Sequence, residues 1–188
     1  MKKYIIYAGV NGAGKSTLYN TNPDVDSVRV NTDEIVRTMG DWRDISLQAR
    51  AGKEAVKLIH DCIYNGVSFN QESTLCGRSI INNIKAAKAL GFYVSVYYVG
   101  VDSVKLAQER VKHRVSVGGH GIPDEIINKR YFESLKNLKE IIPLCDKIVI
   151  YDNTYDFQCI AEYYDGVLCR HYRDCKISWF TKYILDNK

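Results

Sequence analysis

An apolar run, Tyr4-Ile5-Ile6-Tyr7-Ala8, is followed at once by Gly9-Val10-Asn11-Gly12-Ala13-Gly14-Lys15-Ser16, and then by Thr17 and a stretch to Asn20 that can open a helix. The string satisfies G-x-x-x-x-G-K-[ST], the Walker A loop, in the strand, loop and helix setting that the motif needs. Gly9, Gly12 and Gly14, with Asn11 and Ala13 between them, let successive amide N–H groups turn into one concavity, and the helix N-terminus adds its positive end. A polyphosphate is then held largely by main chain. Lys15 reaches the β and γ phosphates, Ser16 supplies a hydroxyl to Mg²⁺, and Thr17 lies in the same first turn. The bland alternative is a glycine turn that happens to precede Lys-Ser; the flanking strand and helix argue against it. ATP and Mg²⁺ are the expected ligands.

The loop also demands a parallel strand beneath it, and the rest of the chain supplies more of them. Strand-like runs recur at Ser27 to Val30, Val67 to Asn70, Tyr93 to Val99 and Lys147 to Tyr151, separated by segments of helical periodicity. This alternation predicts an α/β, three-layer P-loop NTPase or kinase fold with a mostly parallel central sheet and a small lid. Asp44 to Asn65 places Ile45, Ala49, Val56, Ile59 and Ile63 near one helical face and ends at Gly66, a glycine cap. Arg78 to Leu90 with Gly91 repeats the device. Pro123-Asp124-Glu125 opens another helix, whose face continues through Ile126, Ile127, Tyr131, Leu135 and Leu138 until Pro143 closes it. Asp165-Gly166 marks a hairpin between Ala161 to Tyr164 and Val167 to Arg170. With 188 residues, we expect one domain, 1–188: a core over about residues 1–154, and a tail, 155–188, packed on it.

Charge narrows the partners. Lys plus Arg outnumber Asp plus Glu by 26 to 22, an excess too small and dispersed for a nucleic-acid face. No stretch reaches the roughly 18 to 20 apolar residues of a membrane span, and no signal peptide is visible. A cytoplasmic location is the expectation. The six cysteines then read as reduced thiols. Cys169, His171 and Cys175 match no common zinc spacing and read as strand and turn residues.

The remaining motifs separate P-loop activities. No Asn-Lys-x-Asp segment of a GTPase occurs, and the chain has little room for the second domain of a transport or motor ATPase. A small-molecule kinase needs only a base for the acceptor hydroxyl, a Mg²⁺ shell and cations around the moving phosphoryl group. Asn31-Thr32-Asp33-Glu34 follows the second strand, at the carboxyl edge where such sheets build their crevice. Asp33 can accept a hydroxyl proton there, or Thr32 or Asp33 can merely cap the next helix. Glu72-Ser73-Thr74 falls just past the third strand: Glu72 can hold Mg²⁺ or an acceptor hydroxyl, and Ser73 and Thr74 can orient substrate. Their bland role is a cap before Arg78. Arg110 and Arg114 share a helical face and fit a phosphate clamp, since like charges at that spacing call for an anion. The glycine-rich loop 117–123 that follows fits a lid carrying His120. Arg130 on the next helix belongs either to the same cleft or to solvent.

The ordered set of the P-loop, Asn31-Thr32-Asp33-Glu34-Ile35, Glu72-Ser73-Thr74-Leu75, Arg110 to Val115, Gly118 to Pro123, Arg130-Tyr131 and Asp152-Asn153-Thr154 resembles the zeta-toxin family of P-loop kinases, particularly its short stand-alone members. The resemblance implies transfer of the γ-phosphoryl group of ATP to a hydroxyl of a UDP-sugar, chiefly UDP-N-acetylglucosamine. It implies Asp33 as the activating base, Lys15 and Arg110 as phosphate contacts, and Glu72 and Thr74 in the acceptor site. Any inhibitor would be a separate antitoxin protein. The longer members carry a second catalytic arginine near the position of His120; here His120, Arg114 and Arg130 all stand as replacements. Two other classes remain open. One is a nucleotide-dependent regulatory ATPase or binding module acting through a protein partner. The other is a polynucleotide 5′-hydroxyl kinase, which would need a basic groove.

Overall fold

A parallel strand can be buried on both faces only if helices cross over it, and the computed structural model of the chain follows that rule. It describes residues 1–21, 23–24, 26–41, 43–172 and 177–186. The central strand β1 (Lys3–Ala8) pairs in parallel with β3 (Phe69–Ser73) on one side and β4 (Tyr93–Gly100) on the other. Outside β3 lies β2 (Val28–Val30), and outside β4 lies β5 (Lys147–Asp152), both parallel. The sheet ends in the hairpin expected around Asp165-Gly166, β6 (Gln158–Tyr164) and β7 (Val167–His171), which makes that edge antiparallel. The order is β2-β3-β1-β4-β5-β6-β7.

The helices are α1 (Lys15–Thr21), α2 (Thr32–Met39), α3 (Ile45–Asn65), α4 (Arg78–Ala89), α5 (Val104–Ser116) and α6 (Asp124–Ile141). The chain steps one way along the sheet from β1 to β2 and the other way thereafter. Right-handed crossovers therefore put α1 on one face and α3, α4, α5 and α6 on the other. The more heavily covered face is dry: Tyr4, Ile6, Ala8, Val94, Val96, Tyr98, Ile148 and Ile150 all lie in the core. Because the crossovers after β1 and β3 leave on opposite faces, a crevice opens at the carboxyl ends of these two neighbours. Both the P-loop and Glu72-Ser73-Thr74 are at that crevice.

Several boundaries and buried faces differ from the sequence reading. Strand β3 runs three residues further, to Ser73, because β1 offers it partners up to Ala8, so Glu72 and Ser73 are in the strand and not beyond it. Helix α3 buries Ile59 and Ile63 as expected, but the rest of its inward face is Ala51, Ala55 and Cys62, while Ile45 is 80% and Val56 50% exposed. Helix α3 packs on α2, and small alanines at the inward positions permit that approach. In α6 the buried face takes Ser134 and Asn137 and leaves Ile126 at the surface. Pro143 does not end α6 directly; the helix stops at Ile141 and Pro143 sits within a 3₁₀ turn, Ile142–Leu144. The hairpin strand that carries Cys169 and His171 is described, whereas Cys175 lies outside the described residues.

These burial differences are measurable by urea unfolding. Ile6→Ala, in the middle of β1, is expected to cost about 2–5 kcal/mol. Ile45→Ala, on the outward side of α3, is expected to change stability by no more than about 0.5 kcal/mol.

Candidate active site

The P-loop is shaped by what presses on its glycines. A Cβ on Gly9 would fall 2.2 Å from the Val99 carbonyl oxygen, and one on Gly12 would fall 2.5 Å from that of Ala107. The loop therefore lies directly on the end of β4 and the first turns of α5, which no other residue allows. Gly14 has φ +107°, and its Cβ would meet the Asn153 amide nitrogen at 2.6 Å. That amide donates to the Ala13 carbonyl at 2.8 Å, so the loop after β5 clamps the P-loop from the side. Asn153 carried no role in the sequence reading beyond its place in the family pattern.

Lys15 is 8% exposed and its ammonium donates to the Val10 carbonyl at 3.1 Å. Burial pushes its pKa down, and Arg114 and Arg130 push the same way against Glu72 and Asp33. An anion at the mouth of the loop reverses that pressure. Around Lys15 opens a cleft of about 790 Å³, bordered by Ser16, Thr17, Asp33, Glu72, Ser73, Thr74, Arg110, Arg114, His120 and Arg130. All the site residues singled out from sequence outside the strand-packed part of the P-loop thus face one space.

The arginines are held in an unusual state. Arg110 donates one Nη2 hydrogen bond to the Thr154 carbonyl at 3.2 Å, but its Nη1 is buried with no partner. Nε and Nη2 of Arg114 are likewise buried and unpaired. An unsatisfied buried guanidinium nitrogen is costly, and a phosphate oxygen is the partner its fork geometry fits. Arg130 is already engaged, donating from Nη1 to Asn11 Oδ1 of the P-loop at 2.9 Å. The lid residue His120 has its pKa lowered, first by burial and then by Arg114, Arg130 and Arg37, with Asp33 opposing.

On the acidic side, the helix-capping alternative for Asp33 is replaced by a different residue. Asn31 caps α2: its Oδ1 accepts from the Asp33 and Glu34 amides at 2.9 and 3.4 Å. Asp33 is exposed at the cleft and its carboxylate is not spent on the cap. Glu72 Oε1 accepts from the Ser16 hydroxyl at 2.8 Å. Its Oε2 accepts from Arg29 at 3.1 Å and from Asn31 at 3.0 Å. Arg29 is the residue that sequence reasoning missed. It lies over the Tyr19 ring at 3.5 Å and pairs with Glu34 as well, so it fixes Glu72 beside Ser16 from the neighbouring strand. Nor do Glu72, Ser73 or Thr74 cap α4, whose first turn has Gly77 at its cap with no side-chain bond. Ser73 Oγ instead accepts from the Leu75 amide at 2.9 Å, steadying a turn in which buried Leu75 has φ +60°.

Ser16 and Glu72 make a hard-oxygen pair that suits Mg²⁺, an ion that keeps several waters and uses few protein ligands where phosphates supply the rest. Among the described residues no three His, Cys, Asp or Glu side chains cluster as a metal cage. No helix among them is long and apolar enough to cross a membrane, and their five cysteines are free thiols.

With this geometry in place, the sequence profile of the zeta toxin family matches residues 1–162. The chain belongs to the zeta toxin family. An uncharacterized protein of Haemophilus influenzae is 40% identical over 129 residues, covering 69% of this chain and 92% of its own length. Among solved structures, the AvrRxo1-ORF1:ORF2 complex with ATP is similar at TM-score 0.75 and 13% identity, covering 98% of this chain and 64% of that one. This chain thus spans under two thirds of that relative's length. The structure of the PezAT chromosomal toxin-antitoxin system of Streptococcus pneumoniae is similar at TM-score 0.62 and 17% identity, covering 86% and 72%. Family and fold together support a nucleotide-dependent kinase.

Gly14→Ala places a methyl where Asn153 now stands. We expect it to leave the chain folded by circular dichroism and to weaken ATP binding by tenfold or more in calorimetry.

Proposed function

We propose that the protein is a cytoplasmic Mg²⁺-ATP phosphotransferase that moves the γ-phosphoryl group to a hydroxyl of a small acceptor, most specifically a nucleotide sugar such as UDP-N-acetylglucosamine. The observation that carries the reading is that Asp33, exposed and not spent on the helix cap, borders the same cleft as Arg110 and Arg114, which keep buried guanidinium nitrogens without hydrogen-bond partners. The P-loop amides and Lys15 bind the β and γ phosphates. Arg110 and Arg114 supply hydrogen bonds that strengthen as charge spreads over the moving phosphoryl oxygens. Ser16 and Glu72 would hold Mg²⁺, which neutralises phosphate charge when bound. Arg29 and Asn31 keep Glu72 in place for that role.

Asp33 takes the proton of the acceptor hydroxyl. A carboxylate is a weak base, yet it suffices here because this reaction depends mainly on alignment and charge stabilisation. His120 on the lid, with Thr74 and Ser73 at the end of β3, orients the acceptor. With Lys15, Arg110 and Arg114 on the transferred phosphate, Arg130 is a further cation bordering the cleft and suits an acceptor that carries its own diphosphate. His120 stands where longer members place a second arginine, and Arg114 supplies the missing guanidinium. By family resemblance, a separate antitoxin protein would restrain the activity. Residues 1–188 act as one unit in this reading.

Incubation with ATP and a panel of UDP-sugars, followed by mass detection, should show an acceptor heavier by one phosphoryl group. ATP binding with no acceptor-dependent ADP release across the panel would favour a regulatory module instead. Asp33→Asn is expected to lower kcat by at least about 10²-fold, the usual contribution of a positioned base, while ATP affinity in calorimetry stays within about twofold. Normal turnover in that variant would exclude Asp33 as the base.

A further inference from the structure

The tail beyond the residues shared with the family ends against the active site from behind. Trp179 lies in α7 (Ser178–Phe180) and is 1% exposed. Its ring occupies the space above Gly100: a Cβ there would fall 2.1 Å from Trp179 Cζ2. Gly100 is the last residue of β4, and its carbonyl accepts from the Asn153 amide at 2.9 Å. The indole therefore has a fixed seat at the carboxyl edge of the sheet, directly under the loop that clamps the P-loop.

From that seat a chain of hydrogen bonds leads to a guanidinium of the cleft. The indole N–H donates to Asp152 Oδ1 at 2.7 Å. Asp152 is 1% exposed, and its carboxylate also accepts from the Thr154 hydroxyl at 2.7 Å and the Thr154 amide at 3.2 Å. The Thr154 hydroxyl oxygen in turn accepts from the Asp102 amide at 2.9 Å, tying the loop after β5 to the loop before α5. The Thr154 carbonyl receives Arg110 Nη2. Ser178, next to Trp179, donates to the Asp102 carboxylate, so the tail grips both loops that flank Arg110.

We propose that Trp179 is a positioning residue: its indole N–H, through Asp152 and Thr154, sets the Thr154 carbonyl that aims Arg110 into the phosphate cleft. A buried carboxylate tolerates its charge only while its donors are in place. Removing one of them releases the Thr154 turn, and with it the carbonyl that anchors Nη2 of Arg110 at the border of the cleft. The tail is then a working part of the nucleotide site and not only a cover for the sheet. The proposal rests on the reading that Arg110 contacts ATP.

A double-mutant cycle on ATP affinity tests it without any acceptor. Trp179→Phe keeps an aromatic ring in the tail, gives up part of the contact with Gly100 and deletes the donor. We expect it to weaken ATP binding about three- to tenfold, the worth of one hydrogen bond, with a cooperative thermal transition retained. In an Arg110→Ala background the same substitution should have no further effect, because coupled residues are not additive. Thr154→Val, which removes the hydroxyl link to Asp152 and leaves the Trp179 bond and the Thr154 amide bond in place, should reproduce both results in direction. Equal losses in the two backgrounds, or full affinity in Trp179→Phe, would overturn the relay while leaving the nucleotide reading intact. Failure of the unmutated chain to bind ATP would overturn that reading, and the relay with it.

Discussion

Burying an ammonium group beneath guanidinium groups is unfavourable in an empty site, and most of this architecture exists to hold that arrangement open. Lys15 lies at the floor of the cleft with its pKa forced down by burial and by Arg114 and Arg130. Three guanidinium nitrogens on Arg110 and Arg114 are buried without partners. A folded protein retains such unsatisfied charge where a ligand completes it. The sheet order places β1 and β3 side by side with their crossovers on opposite faces, which opens the crevice. Glycines let the loop rest on β4 and α5, and Asn153 locks it there.

The carboxylates of the site are handled the opposite way. Glu72 is fully engaged by Ser16, Arg29 and Asn31, so its position beside the P-loop serine is set before any cation arrives. Asp33 is left uncommitted because Asn31 takes over the helix cap. One acid is organised for binding and the other is available for a proton. The same division of labour separates the arginines, since Arg130 is tied to Asn11 while Arg114 waits.

Much of this was legible in the sequence because it depends on short-range pattern. The P-loop, the alternation of strands and helices, the Asp165-Gly166 hairpin and a cleft that gathers Asp33, Glu72, Arg110, Arg114 and His120 all follow from motifs or from strand ends, whereas Arg130 reads equally well as a solvent residue. What escaped depends on pairing between distant segments. Arg29 reaches Glu72 only because β2 lies beside β3, and nothing in Val28-Arg29-Val30 announces that. The inward face of α3 is only half legible, at Ile59 and Ile63, because its large residues Ile45 and Val56 face water while small Ala51 and Ala55 are buried. Trp179 reads as an isolated aromatic in a tail until Gly100, far earlier in the chain, is seen to leave room for it.

The central claim is that the cleft stores unpaired positive charge for a phosphate ligand. Arg114→Met tests it most directly, because methionine fills similar volume without the charge. Thermal unfolding with and without Mg-ATP should show an unliganded variant as stable as the parent or more so, with the ATP-induced rise in Tm largely lost. A variant that is clearly less stable when empty, yet gains as much from ATP as the parent does, would contradict the account.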